Sequence, residues 1–133
     1  KISPLVNFII ISALSEMSKD GSESLTLHSS ERYSESSLEE QGILSEQDWA
    51  ELDNVINLAY PKFKTYLHIM HENISEQEYK ICMLVKCKFG PKNIGILTFR
   101  DKTTVTSTRK RLYRKFFYEE GKANDFDRFI YSL

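Results

Sequence analysis

Cysteine, proline and glycine are all scarce in this 133-residue chain, at two, three and five residues. Two thiols cannot build the disulfide framework of a small secreted scaffold. Cys82 and Cys87 fall in one expected helix, where about 100° per residue turns them roughly 140° apart, so they neither bridge nor share a ligand face. They read as small buried residues of a reducing, cytoplasmic compartment. The few glycines form no phosphate-cradling loop, and no Ser-His-Asp order or Cys-His setting supplies a nucleophile. We therefore expect no enzymatic activity, no cofactor and no small-molecule substrate. His68 and His71 stand at helical i,i+3 spacing, but no Cys or acid at matching spacing completes a metal site, so none is expected.

Long hydrophobic runs are missing too. Leu5 to Leu14 spans ten residues and includes Asn7 and Ser12, well short of the ~20 needed to cross a bilayer, so it is expected to pack as a helix. No run alternates apolar and polar residues convincingly with period two, which argues against a sheet and for an all-α chain.

A net charge of −1 conceals a strong asymmetry. Residues 1–72 carry 5 Lys/Arg against 12 Asp/Glu, whereas residues 73–133 carry 13 against 7. Between Lys86 and Lys115 there are ten basic side chains and a single acid, Asp101. Such a bias points to a polyanionic partner, although charge alone does not separate that from a solvated basic helix face.

Three segments follow from composition. Residues 1–17 hold an expected N-terminal helix opened by Ser3 as N-cap and Pro4 in the first turn. Residues 18–43 read as a Ser/Glu-rich linker with no sustained apolar period. Residues 44–133 form the expected helical domain. Because the chain opens on Lys1 rather than Met, we expect a piece of a longer protein.

In the third segment Leu44-Ser45-Glu46-Gln47-Asp48 and Ile74-Ser75-Glu76-Gln77-Glu78 repeat one start signal, an apolar residue, a Ser N-cap and an acid three residues on. The first begins a helix with Trp49, Leu52, Val55, Ile56 and Ala59 on its apolar face. Pro61 is expected to open the next, with Phe63, Tyr66, Leu67 and Met70 on one side. The second signal begins a helix expected to reach Phe89, apolar all round at its centre, with Gly90 as its C-terminal stop and Pro91 as the following start.

Residues 90–117 carry the functional signal. They predict a short helix from Pro91 to about Thr98, a turn at Phe99–Arg100, and a longer helix capped by Asp101. Small Gly95 stands where a close helix crossing needs it. With Val105 at 0°, Thr108, Leu112 and Phe116 fall within about 60° of it as a buried stripe, while Thr103, Thr106, Ser107, Lys110 and Arg114 lie from about 100° to 200°. That far face is polar or basic with no acid, and Arg109, Arg111 and Lys115 flank it. Small hydroxyl residues let a backbone approach base edges, Lys110 can reach purine acceptors, and flanking cations neutralise phosphates. The pattern suits a recognition helix over residues 102–117. Tyr113 is the one aromatic placed to border DNA; Trp49 and the other aromatics are expected in the core.

Residues 75–117 resemble the LuxR-type helix-turn-helix, through Ser75-Glu76-Gln77-Glu78-Tyr79-Lys80-Ile81-Cys82, Pro91-Lys92-Asn93-Ile94-Gly95 and Asp101-Lys102-Thr103-Thr104-Val105-Thr106-Ser107. Residues 44–133 are further similar to the C-terminal DNA-binding domains of Bacteroidetes transcriptional regulators. The matching stretches are Leu44 to Trp49, Ala59-Tyr60-Pro61-Lys62-Phe63, Glu78 to Cys82, Arg109-Lys110-Arg111-Leu112-Tyr113 and Asp125 to Leu133, with a weaker match at Ser3-Pro4-Leu5-Val6. The resemblance implies a LuxR/GerE-like bundle preceded by additional helices, acting as the cytoplasmic output end of a sensor. Such sensors often carry tetratricopeptide repeats, a membrane helix and a coiled coil upstream. It implies base reading at Thr106, Ser107 and Lys110, and phosphate contact at Lys102, Thr103 and Thr104. With Lys92, Arg100, Arg109, Arg111 and Arg114, these make up the expected surface for double-stranded DNA, bound as a homodimer because one helix reads only a short half-site. Gly95 stands where Ala is common in the family, which should weaken that helix by roughly 0.5–1 kcal/mol.

Other readings remain open: a sigma-factor-like promoter reader, a helical module whose basic face meets an acidic protein, and the DNA-binding end of a recombinase. The last segment, with Phe126, Phe129, Ile130 and Leu133 on one face, either completes the core or supplies a dimer surface.

Overall fold

The computed structural model describes residues 44–133, with Asn7 and Ile11 ahead of them. The expected N-terminal helix and Ser/Glu-rich linker lie outside the described residues, except that Asn7 and Ile11 are helical. Six helices follow: α1 (Glu46–Ala59), α2 (Phe63–Met70), α3 (Glu76–Lys86), α4 (Pro91–Thr98), α5 (Lys102–Phe117) and α6 (Ala123–Ser132). There is no strand among the described residues, and the architecture is all-α. No described helix is long and apolar enough to cross a membrane.

Both start signals do what their spacing requires. Ser45 Oγ accepts from the Asp48 amide at 3.1 Å while the Asp48 carboxylate accepts from the Ser45 amide at 3.0 Å. Ser75 and Glu78 repeat the exchange at 3.1 and 2.9 Å. Each box satisfies two backbone donors that would otherwise be unpaired at a helix start.

Helix α2 begins later than expected. Pro61 and Lys62 form a turn, and Phe63 is the first helical residue. Phe63 and Leu67 are fully buried, but Tyr66 stays exposed, because it lies about 60° off Phe63, at the edge of that stripe.

Helix α3 ends earlier than expected, and not through Gly90. Lys88 takes the left-handed conformation (φ 72°); its amide donates to Val85 O at 2.9 Å, and the Phe89 amide reaches back to Leu84 O at 3.1 Å. These two bonds make a Schellman cap that also buries Phe89. Gly90 is extended (φ −78°) and serves as N-cap of α4, with Pro91 at its first turn. The centre of α3 is buried on all sides from Ile81 to Cys87, as its composition demands.

That centre includes a charge. Lys86 is buried, its Nζ donating to Tyr131 O at 3.1 Å and lying 4.1 Å from the centre of the Tyr60 ring. The ammonium thus sits at the carbonyl end of α6, where the helix dipole is negative.

Helix α6 completes the core. Phe126 and Ile130 are fully buried, and Phe129 and Leu133 pack against the same cluster. The Phe129 ring meets Phe117 and Phe116 edge-on at 4.9 and 5.7 Å. Side chains of this size contribute about 1.5–3 kcal/mol each when fully buried, and they lock α5 onto α6.

Candidate nucleic-acid interface

The short turn that aims α5 is built around Gly95. Its carbonyl accepts from the amides of Phe99 and Arg100, the latter at 2.9 Å. A Cβ on Gly95 would collide with the backbone carbonyl of Arg100. The close approach expected at Gly95 is made by the turn itself, which folds back onto the glycine. Phe99 takes the left-handed conformation (φ 59°) that reverses the chain, and Gln77 of α3 donates to Thr98 O at 3.2 Å, tying the end of α4 to the start of α3.

Asp101 then caps α5, accepting from the Thr104 amide at 2.7 Å. That amide, together with the Thr104 hydroxyl, holds the Asp101 carboxyl below its usual range. Its charge is thus committed to the helix start.

Along α5 the expected stripe is buried: Val105, Thr108, Leu112 and Phe116 all face the core. On the opposite side Thr103, Ser107, Lys110 and Arg114 are exposed and Thr106 is half-exposed. Lys102 and Thr104 at the helix start are exposed, as are Arg100 in the turn and Lys92 on α4. Among the described residues, Arg100, Lys102 and Lys110 form no ion pair.

Arg109 does not belong to this surface. It is 4% exposed, and its guanidinium makes a two-pronged pair with Asp127 of α6, at 3.1 and 2.6 Å. The signal was present in the sequence, since residue 109 falls about 40° from Val105, beside the buried stripe. Tyr113 is half-buried, its ring tilted against Phe117 at 4.8 Å and filling the space over Gly121, where a Cβ would strike it.

Two carboxylates at the edges escaped the sequence reasoning. Arg111 pairs with Glu78 of α3 at 3.2 Å, and Arg114 with Glu120 of the α5–α6 loop at 3.1 Å. Ser107, Lys110, Arg111, Arg114 and Glu120 line one open depression of about 310 Å³ on the outer face of α5. Burial works against charge on Glu78, but the Ser75 amide, Arg111 and His71 (3.6 Å away) outweigh it and hold the carboxyl below its usual range. Glu78 is thus both the box residue of α3 and the anchor of an α5 arginine. Nothing in the local sequence around Arg111 announces a partner 33 residues earlier.

His68 does not meet His71 around a shared ligand position: its Nδ1 lies 2.9 Å from Lys64 O, while His71 faces Glu78. Among the described residues no cluster of His, Cys, Asp and Glu could hold a metal ion. The two cysteines are both buried, and no disulfide joins them.

What the arrangement offers is a convex helix with a hydroxyl-rich start, a basic outer face and a rigid back. Comparison with known proteins finds no family model, no curated protein and no solved structure that matches the chain.

Proposed function

We propose that residues 44–133 are the sequence-specific DNA-binding output domain of a bacterial transcriptional regulator. In this reading α4, the Phe99–Asp101 turn and α5 form a LuxR-type helix-turn-helix, and α5 lies in the major groove. The domain is not an enzyme, acts in the cytoplasm, and takes its signal from other segments of a longer protein.

One observation carries the proposal. The outer face of α5 presents Thr103, Thr106, Ser107, Lys110 and Arg114 without an acid among them, while the same helix is locked from behind by Val105, Leu112 and Phe116. Ordinary surface helices mix both charges across their exposed face; a reading helix needs short side chains near its start and cations beyond them. Thr106, Ser107 and Lys110 are assigned to base edges, and Lys92, Arg100, Lys102, Thr103 and Thr104 to the backbone. Arg111 reaches phosphates from the flank and Arg114 from the far end of the outer face. A homodimer follows from the short span one helix can read, and since α6 spends its apolar face on the core, its pairing surface lies elsewhere.

The test is retention of genomic DNA fragments across a salt series, with Lys110→Glu beside the wild type. Wild-type binding should fall steeply with salt as phosphate contacts release counterions, and Lys110→Glu should remove the selected fragments. Salt-insensitive binding that ignores Lys110→Glu would sink the proposal and favour a helical module for an acidic protein.

A further inference from the structure

The turn in front of α5 holds a residue with two features unfavourable to its type. Phe99 sits at φ 59°, a conformation that suits Gly or Asn and opposes bulky side chains. Its ring is also 68% exposed, outside the core cluster and without a ring partner among the described residues. The turn holds this conformation through the Phe99 and Arg100 amides on Gly95 O, and strain held in this way concentrates at functional sites. Tyr118 at the other end of α5 shares both features (φ 60°, 88% exposed), so they do not by themselves identify a partner. Charge does. Tyr118 is followed by Glu119 and Glu120, whereas Phe99 is followed by exposed Arg100 and Lys102, and the intervening Asp101 is turned to the Thr104 amide.

We propose that Phe99 is a DNA-contacting residue whose ring packs against the sugar and base edge at the start of the segment α5 reads. This rests on the DNA-binding reading above. Phe99 stands in the turn three residues before the hydroxyl-rich start of α5, and the flanking cations hold a phosphate strand against that corner. The contact is apolar, so it adds affinity and position without releasing ions.

The experiment measures affinity for a duplex selected from the retained genomic fragments, with salt dependence and urea stability, for wild type, Phe99→Asn, Phe99→Tyr and Tyr118→Asn. Asn tolerates the left-handed turn, so Phe99→Asn should be at least as stable as wild type yet bind about 5- to 10-fold more weakly with an unchanged salt slope. Phe99→Tyr, which keeps the ring, should bind within twofold of wild type, and so should Tyr118→Asn. If wild type binds and Phe99→Asn binds equally well, Phe99 is not a DNA contact and this proposal fails, while the DNA reading stands. A Phe99→Asn that loses stability would also overturn the proposal, since the ring would then be packing within the fold. If wild type shows no salt-dependent binding that Lys110→Glu removes, the DNA reading fails and takes this contact with it.

Discussion

The inner and outer faces of α5 carry similar chemistry to opposite ends. Arg109 and Lys110 are neighbours in the chain, both basic and both within the run that makes the C-terminal half so cationic. One is buried against Asp127 and serves the fold; the other points outward with no ion-pair partner among the described residues. Lys86 repeats the lesson, since its ammonium is spent on the end of α6. A count of cations therefore overstates what a partner meets, and the helix angle of each decides its role.

The sharpest way to break this comparison is to remove the inner cation. Arg109→Ala leaves Asp127 facing a largely buried gap and should lower stability by about 3 kcal/mol, read from the urea midpoint. Lys110→Glu one residue on should change stability by less than about 0.5 kcal/mol while lowering DNA affinity tenfold or more. Equal stability loss from both variants would erase the distinction between the faces.

A smaller effect tests how the helix is aimed. Gly95→Ala gains helix propensity of about 1 kcal/mol but must displace the Arg100 carbonyl, and overpacking of this kind costs about 1–3 kcal/mol. The net expectation is a loss of about 1 kcal/mol, together with weaker DNA binding as the turn shifts. A gain in stability would show that the turn relaxes freely and does not fix α5.

The smallest effect concerns the edge. The folded Glu78 pKa lies below its unfolded value, so the carboxylate stabilises the fold fully above the ordinary glutamate range, and that contribution is lost as pH falls through the folded pKa. Glu78→Gln keeps a side chain able to complete the capping box but should flatten the acid limb of stability measured against pH. An unchanged acid limb would mean that the Arg111 and Ser75 contacts carry no weight.

Much of the fold was legible in advance because its signals are local. The Ser45 and Ser75 boxes, the start at Pro91, the cap at Asp101 and the stripe from Val105 to Phe116 each depend on residues within a few turns of one another. The errors came where distant chain decided. Lys88 takes the left-handed cap and leaves Gly90 to begin α4, because Phe89 is drawn into the core. At Gly95, by contrast, the close approach was expected, and the turn folding back on it is what needs the missing Cβ. In the candidate site, the outer face of α5 could be read from helical spacing, whereas Glu78, Glu120 and the exposure of Phe99 could not.

The sequence by itself determined where α1, α3, α4 and α5 start, that the described residues hold no strand, and which side of α5 is apolar, since capping and periodicity act through neighbouring residues. Helical spacing already set Arg109 beside the buried stripe, but only tertiary structure supplied the partners that let a cation be buried. A charge is buried only where a partner from another helix meets it, as Asp127 meets Arg109 and the α6 carbonyls meet Lys86, and no local pattern records those encounters.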